Sequence, residues 1–271
     1  MEAESGSVGF NAEFTALKLR YGALKEQVAN QIEMCDHLVN VVAPNIKSKY
    51  MMEVGQYECR VFELETEISR WKRRFTLRQA ALNLGEKPDY LAIETQIDRE
   101  FAEFTEKIKK NIEEIAASSS LYYRESMGDE ASTNYRVAYL AAVKLLHPDL
   151  NPGLPEAAVS LWHEIVKAYG EKDWRRMRYL AGLAKDVVVG TLAFDASADG
   201  LTALREACAR LAERSRELQR DTAEMKKHLP FTYEELLDDE TLLEKRREEL
   251  KAQIRECEAA VRDYEKEWSN G

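Results

Sequence analysis

Tyr135-Arg-Val-Ala-Tyr-Leu-Ala-Ala-Val-Lys-Leu-Leu146, then His147-Pro-Asp-Leu-Asn-Pro-Gly-Leu154, then Pro155-Glu-Ala-Ala-Val-Ser-Leu-Trp-His-Glu-Ile-Val-Lys-Ala-Tyr-Gly170: this stretch sets the frame for the whole chain. The first part has helical apolar spacing. It is expected to end close to the residue before Pro148, because the proline ring disfavours helical backbone in the residue that precedes it. Pro, Asp, Asn and Gly between Pro148 and Gly153 are turn formers. A second helix is expected to open at Pro155, favoured in a first helical turn, and to stop at Gly170.

Working outward, the flanks also read as helix. Toward the N-terminus, Phe14, Leu17, Tyr21, Leu24 and Val28 form one series, and Tyr50, Val54, Tyr57, Val61, Leu64, Ile68, Trp71 and Phe75 form another. Alternating steps of four and three are the seam of a coiled coil. The intervening Val42-Ala43-Pro44-Asn45 is short enough to join the two helices as an antiparallel hairpin. A third series, Tyr90, Ile93, Ile97, Phe101, Phe104, Ile108 and Ile112, is expected to pack on that hairpin, with Ala116 to Ser120 as its frayed end and a linker. Toward the C-terminus, Leu201, Leu204, Cys208, Leu211, Leu218 and Met225 run to a stop at Leu229-Pro230. Leu243, Leu250, Ile254, Cys257, Val261, Tyr264 and Trp268 then return, giving a second antiparallel hairpin. Val187 to Phe194 is expected as a further helical turn, with a brief strand as the alternative. Arg78, Ser215 and Arg247 interrupt seam positions, which costs stability and fixes register. The expectation is an all-α chain in three parts: a helical bundle over 1–118, a small helical module over 119–185 and a coiled-coil hairpin over 186–271.

The order helix, His147-Pro148-Asp149 loop, helix, then the basic run Asp173-Trp174-Arg175-Arg176-Met177-Arg178-Tyr179 resembles the J-domain of DnaJ-like co-chaperones. Leu161 to Tyr169 is similar to that family's third helix in its aromatic, Glu-Ile and Ala-Tyr positions. Leu121-Tyr122-Tyr123 stands where the family's first helix carries paired tyrosines. The resemblance covers roughly 121–183. It implies a non-catalytic module that docks on a DnaK-type chaperone ATPase, with coiled coils flanking it as adaptors for a client or partner. It also implies partner-binding roles for His147, Pro148, Asp149, Arg136, Lys144 and Lys167, and core positions at Val143, Leu146, Trp162, Ile165 and Tyr169.

The residue chemistry suits that work. Pro148 stiffens the loop before binding, an exposed Asp149 carboxylate can pair with a partner arginine, and neutral His147 offers one donor and one acceptor. The bland alternative is an interhelical turn in which Asp149 caps a local amide and His147 covers a helix end. One departure from the family bears on the choice. Where J-domains carry a basic strip, seven, six and two residues before His147, this chain has Leu140, Ala141 and Leu145, leaving Arg136 and Lys144 as the basic residues of that helix. A helix apolar nearly all round is normally buried on more than one side. Either other parts of the chain cover the face or the docking mode has shifted. The competing function is therefore a coiled-coil scaffold or adaptor whose J-like unit no longer recruits the ATPase.

Composition sets the outer bounds. The 271 residues carry a net charge of −10 with no basic tract, which argues against nucleic-acid or anionic-membrane partners. No apolar run long enough to span a bilayer and no signal-peptide pattern occur, so a cytoplasmic protein is expected. Cys35, Cys59, Cys208 and Cys257 show no Cys-x-x-Cys spacing and read as buried free thiols rather than metal ligands or disulfides. With no phosphate loop, zinc-protease or nucleophile-elbow motif, neither an enzyme nor a cofactor is expected. A homo-oligomer stays open, since seams satisfied between chains look like seams satisfied within one.

Overall fold

The structure is a computed structural model that describes residues 2–122, 129–186 and 194–270. The fold is all-α, with no strand among the described residues. Helix α1 (Glu2–His37) passes through a π-helical turn (Leu38–Val42) into α2 (Ala43–Tyr50), and through a second such turn (Met51–Gly55) into α3 (Gln56–Asn83). Then follow α4 (Tyr90–Glu100), α5 (Ala102–Tyr122), α6 (Asp129–Leu146), α7 (Glu156–Gly170), α8 (Trp174–Asp186) and α9 (Ala198–Met225). A 3₁₀ turn (Phe231–Tyr233), α10 (Glu234–Asp238) and α11 (Glu240–Asn270) complete the described chain.

The turn expected at Val42 to Asn45 does not form. Proline inside a helix removes one amide donor and crowds the carbonyl four residues back. Here Pro44 follows directly on the π-helical turn, in which the Ala43 amide bonds back to the Leu38 carbonyl in a five-residue step. That local widening lets the helix run past the proline. Where helices do begin, the reason is local: Asp89 accepts the amides of Leu91 and Ala92 at the start of α4, Ser197 accepts the amide of Gly200 in α9, and Asp239 accepts those of Thr241 and Leu242 in α11.

The chain divides into two compact units, Met1–Pro44 with Glu125–Thr232, and Asn45–Arg124 with Tyr233–Gly271. Their boundaries differ from the expected partition at 118 and 185. In the first unit the dominant helix pairing is α1 with α9, and in the second α3 with α11. The pairs are also parallel. Along α1 and α9 the contacts advance together: Glu13 with Arg205, Leu17 with Cys208, Gln27 with Ser215, Cys35 with Thr222. Along α3 and α11 they run from Glu58 with Arg246 through Glu65 with Gln253 to Trp71 with Trp268. A seam encodes which face of a helix is apolar, and two such faces pair equally well with neighbours distant in sequence.

The seam interruptions each have a partner. Ser215 is buried and accepts from Gln27 Nε2 at 2.9 Å, Arg247 pairs with Glu53, and the Arg78 guanidinium lies over the rings of Phe75 and Trp268. Trp71, Phe75, Tyr264 and Trp268 form an aromatic cluster in the second unit, with Tyr90 at its exposed edge. The third apolar series splits at Phe101 into α4 and α5, which pack on α3, and Ala116 to Ser120 stays helical: Ser118 is buried and its carbonyl accepts from Ser48 Oγ at 2.6 Å. Among the thiols, Cys208 is buried while Cys35, Cys59 and Cys257 are half-buried, and all four are free. No helix among the described residues is long and apolar enough to cross a membrane, and no group of three or more metal-ligating side chains occurs among them.

Candidate functional site

The site lies in the first unit, where α6, α7 and α8 pack on one another and α1 lies along α6. The positions expected at its core, Val143, Leu146, Trp162, Ile165 and Tyr169, are all buried in one cluster that also holds Tyr135, Tyr139, Leu150, Met177 and Leu180. Its centre is a column of rings. Tyr135 stacks on Tyr169 with centroids 4.7 Å apart, Tyr169 on Tyr139 at 3.8 Å, Tyr139 leans on Trp162 at 5.8 Å, and His147 meets Trp162 edge-on at 5.1 Å. Such contacts add to the burial of the rings themselves. The column ties the loop to the body of the module.

The loop is fixed by its own side chains. Helix α6 ends at Leu146, and the amides of Leu150 and Asn151 both bond to the His147 carbonyl at 3.0 Å. Buried Asn151 donates through Nδ2 to the Lys144 carbonyl at 3.0 Å and accepts from Lys25 of α1 at 3.1 Å, so it closes a helix end whose carbonyls would otherwise lack partners. Gly153 has φ +83°, a left-handed conformation that lets the chain turn toward Pro155. After α7 that conformation falls on Lys172, with φ 55°, and not on Gly170, which is the last helical residue.

His147 and Asp149 divide the work. The Asp149 amide donates to His147 Nδ1 at 3.1 Å, so the ring carries its proton on Nε2 when neutral. Burial, at 16% side-chain exposure, holds the ring below its ordinary pKa, partly opposed by the Asp149 carboxylate. Pro148 occupies the turn between them. The Asp149 carboxylate, 34% exposed, accepts from Arg214 Nε of α9 at 2.6 Å. It therefore holds a guanidinium supplied by the same chain, not by a partner. A recess of about 240 Å³ lies beside this contact, lined by Tyr21, Leu150, Pro152, Arg210 and Leu211 as well as Asp149 and Arg214.

Arg136 and Lys144 are also engaged. Arg136 makes a two-pronged pair with Glu33 of α1 at 2.7 and 2.8 Å, and Lys144 pairs with Glu26 of α1. Tyr139 donates to Asp36 at 2.7 Å, and His37 Nδ1 lies 3.1 Å from the Tyr169 hydroxyl. Burial raises the Asp36 carboxyl above its usual range, while burial and the Arg136 charge lower His37. One acidic face of α1 thus covers the basic side of α6, and Leu140, Ala141 and Leu145 are partly buried. Lys167 stands exposed in the last turn of α7, away from the loop.

Two expectations about the site change. Tyr122 ends α5 in the second unit, where its hydroxyl donates to Glu53 at 2.7 Å, so it does not belong to the unit that holds the His147-Pro148-Asp149 loop; its neighbour Tyr123 lies outside the described residues. The helix lying along α6 comes instead from the far N-terminus, as α1. Val187 to Ala193 also lie outside the described residues, and the ring of Phe194 meets Tyr21 edge-on at 5.3 Å. Arg214, Glu26, Glu33 and Asn151 were not singled out in the sequence. One usable signal existed: Glu26 and Glu33 are seven residues apart and Arg136 and Lys144 eight apart, so each pair lies on one helical face. Comparison with protein-family models, with curated proteins and with solved structures finds no match.

Proposed function

We propose that the chain is a J-domain-like co-chaperone, non-catalytic itself, whose His147-Pro148-Asp149 loop engages a DnaK-type chaperone ATPase in the cytoplasm. Its long paired helices act as adaptors for a client or partner. The observation that carries this reading is the Asp149 carboxylate bound to a guanidinium at the tip of a pre-shaped loop. In a plain interhelical turn Asp149 would cap a local amide. Here its own amide is held by His147 and its carboxylate is turned to an arginine. A loop already ordered by His147, Asn151 and Pro148 loses little entropy on docking.

The test is single-turnover ATP hydrolysis by the host's DnaK-type chaperone with the full-length chain and with Asp149→Asn. Stimulation that the Asn variant loses supports the reading, and absence of stimulation from the chain and from Arg214→Ala refutes it. The adaptor-only reading has one observation in its favour. Arg136 and Lys144, the basic residues that would meet an acidic ATPase surface, are consumed by Glu33 and Glu26. Binding to the ATPase that tolerates Asp149→Asn would favour neither a J-type mode nor the loop as its contact, and would move attention to the paired helices.

A further inference from the structure

We infer that Arg214 is an internal latch on the Asp149 loop: it occupies the carboxylate that a partner's arginine would use, and a partner docks by displacing it. This rests on the co-chaperone reading above. The partner surface it implies presents a guanidinium to Asp149 and makes no use of the Arg136/Lys144 side of α6.

Two sets of contacts close the module; the Lys144–Glu26 pair is exposed, and what separates the Arg136 contact from the Asp149 contact is the burial of Glu33 and of the apolar residues around it. On the α6 side, Glu33 is 8% exposed and grips Arg136 with both carboxylate oxygens, while Val28, Ala29 and Ile32 of α1 belong to the same core cluster as Tyr139 and Val143. Lifting α1 would expose that core and break the two-pronged Glu33–Arg136 pair, so this face stays closed. On the loop side, Arg214 and Asp149 are 37% and 34% exposed and share a single hydrogen bond. An exposed ion pair of this kind is weak and screened by salt.

Three details suit a latch that opens. Arg214 also reaches Glu217, one turn along α9, through Nη1 at 3.2 Å, so its charge keeps a partner after leaving Asp149. The loop's shape does not depend on Arg214, because the Asp149 amide is held by His147 and the helix end by Asn151. The recess lined by Tyr21, Pro152 and Leu211 adjoins the pair and gives an incoming side chain space beside Asp149.

The experiment titrates the full-length chain into single-turnover hydrolysis by a DnaK-type chaperone and reads the concentration giving half-maximal stimulation. Arg214→Ala should lower that concentration by roughly two- to five-fold, the range set by an exposed ion pair. Arg214→Lys should fall between the two. The gain should vanish in the Arg214→Ala/Asp149→Asn double variant and shrink at high salt. A misfolded variant would stimulate less, so a gain cannot come from damage. Superimposable curves for the parent and Arg214→Ala, both abolished by Asp149→Asn, would overturn the latch and leave the co-chaperone reading standing. No stimulation by either protein would overturn that reading, and the latch with it.

Discussion

The parallel pairing of α1 with α9 makes Thr222→Cys a sharp test of the fold. The Sγ of Cys35 lies 2.8 Å from the Thr222 hydroxyl oxygen, across helices separated by 187 positions in sequence. Replacing that oxygen by sulfur puts two thiols within about 0.8 Å of the ordinary disulfide bond length of ~2.05 Å, a closure that side-chain rotation absorbs. Cross-linking so distant a pair removes a large closed loop from the unfolded ensemble. The chain-entropy relation gives about 5 kcal/mol as a ceiling, and native strain brings the expected gain to about 2–4 kcal/mol. The assay is thiol titration after mild oxidation, followed by urea unfolding with and without reductant. Of the four native cysteines and the introduced one, three should remain titratable, and the stabilisation should disappear on reduction. Antiparallel hairpins joining α1 to α3 and α9 to α11 would keep position 222 from Cys35. A variant that keeps all its thiols free under oxidation therefore refutes the parallel arrangement.

Arg136→Ala should destabilise the first unit by about 1–3 kcal/mol in urea unfolding, because it strands the buried Glu33 carboxylate; Arg136 is itself partly exposed, which keeps the loss below that of a fully buried pair. Removing both partners in Glu33→Gln/Arg136→Ala should recover part of that loss, and strict additivity would show that the pair is uncoupled. Acidification should weaken the same unit. His147 and His37 are both held below their ordinary value of 6.5, so the unfolded chain takes up protons first; stability present above pH 6.5 is lost as the pH falls through 6.5 toward the lower folded values. Asp36, held above its usual range, works the other way further down, where its protonation favours the fold. Melting curves between pH 8 and 5 check the sign, and His147→Gln should flatten the profile.

How much of this was legible in the sequence depends on the range of the interaction. Helix ends are local: Leu146 before the His-Pro-Asp loop and Glu156 after Pro155 follow from proline stereochemistry and fall where the spacing puts them. The seams were legible as faces. Val54 is buried in the π-helical turn before α3, Val61 and Leu64 on α3, and Leu204, Cys208 and Leu211 on α9. Their partners were not legible, because four-three spacing says nothing of which helix lies opposite or in what direction. Pro44 misled for a specific reason, since the π-helical turn before it removes the clash that usually ends a helix there. Arg214 carried no signal at all: it sits in the Arg-rich stretch from Arg205 to Arg220, and only the fold sets it against Asp149.

The apolar α6 posed a question that the charges on α1 answer. A helix carrying apolar Leu140, Ala141 and Leu145 beside its core face had to be covered by something, and the cover needed acidic groups to match Arg136 and Lys144. Helix α1 supplies both requirements, with Glu26 on Lys144 and Glu33 on Arg136 running in opposite chain directions, so α1 and α6 are antiparallel. The consequence for function is a division of labour by energy. Helix α1 is held on α6 by Val28, Ala29 and Ile32, which belong to the hydrophobic core, and by buried Glu33 on Arg136, whereas Glu26 on Lys144 is an exposed pair. The Arg214 contact is an exposed pair whose loss leaves the loop shaped and Arg214 still bonded to Glu217. On the co-chaperone reading proposed above, an arginine-bearing partner would compete with Arg214 for the Asp149 carboxylate while the loop keeps its shape.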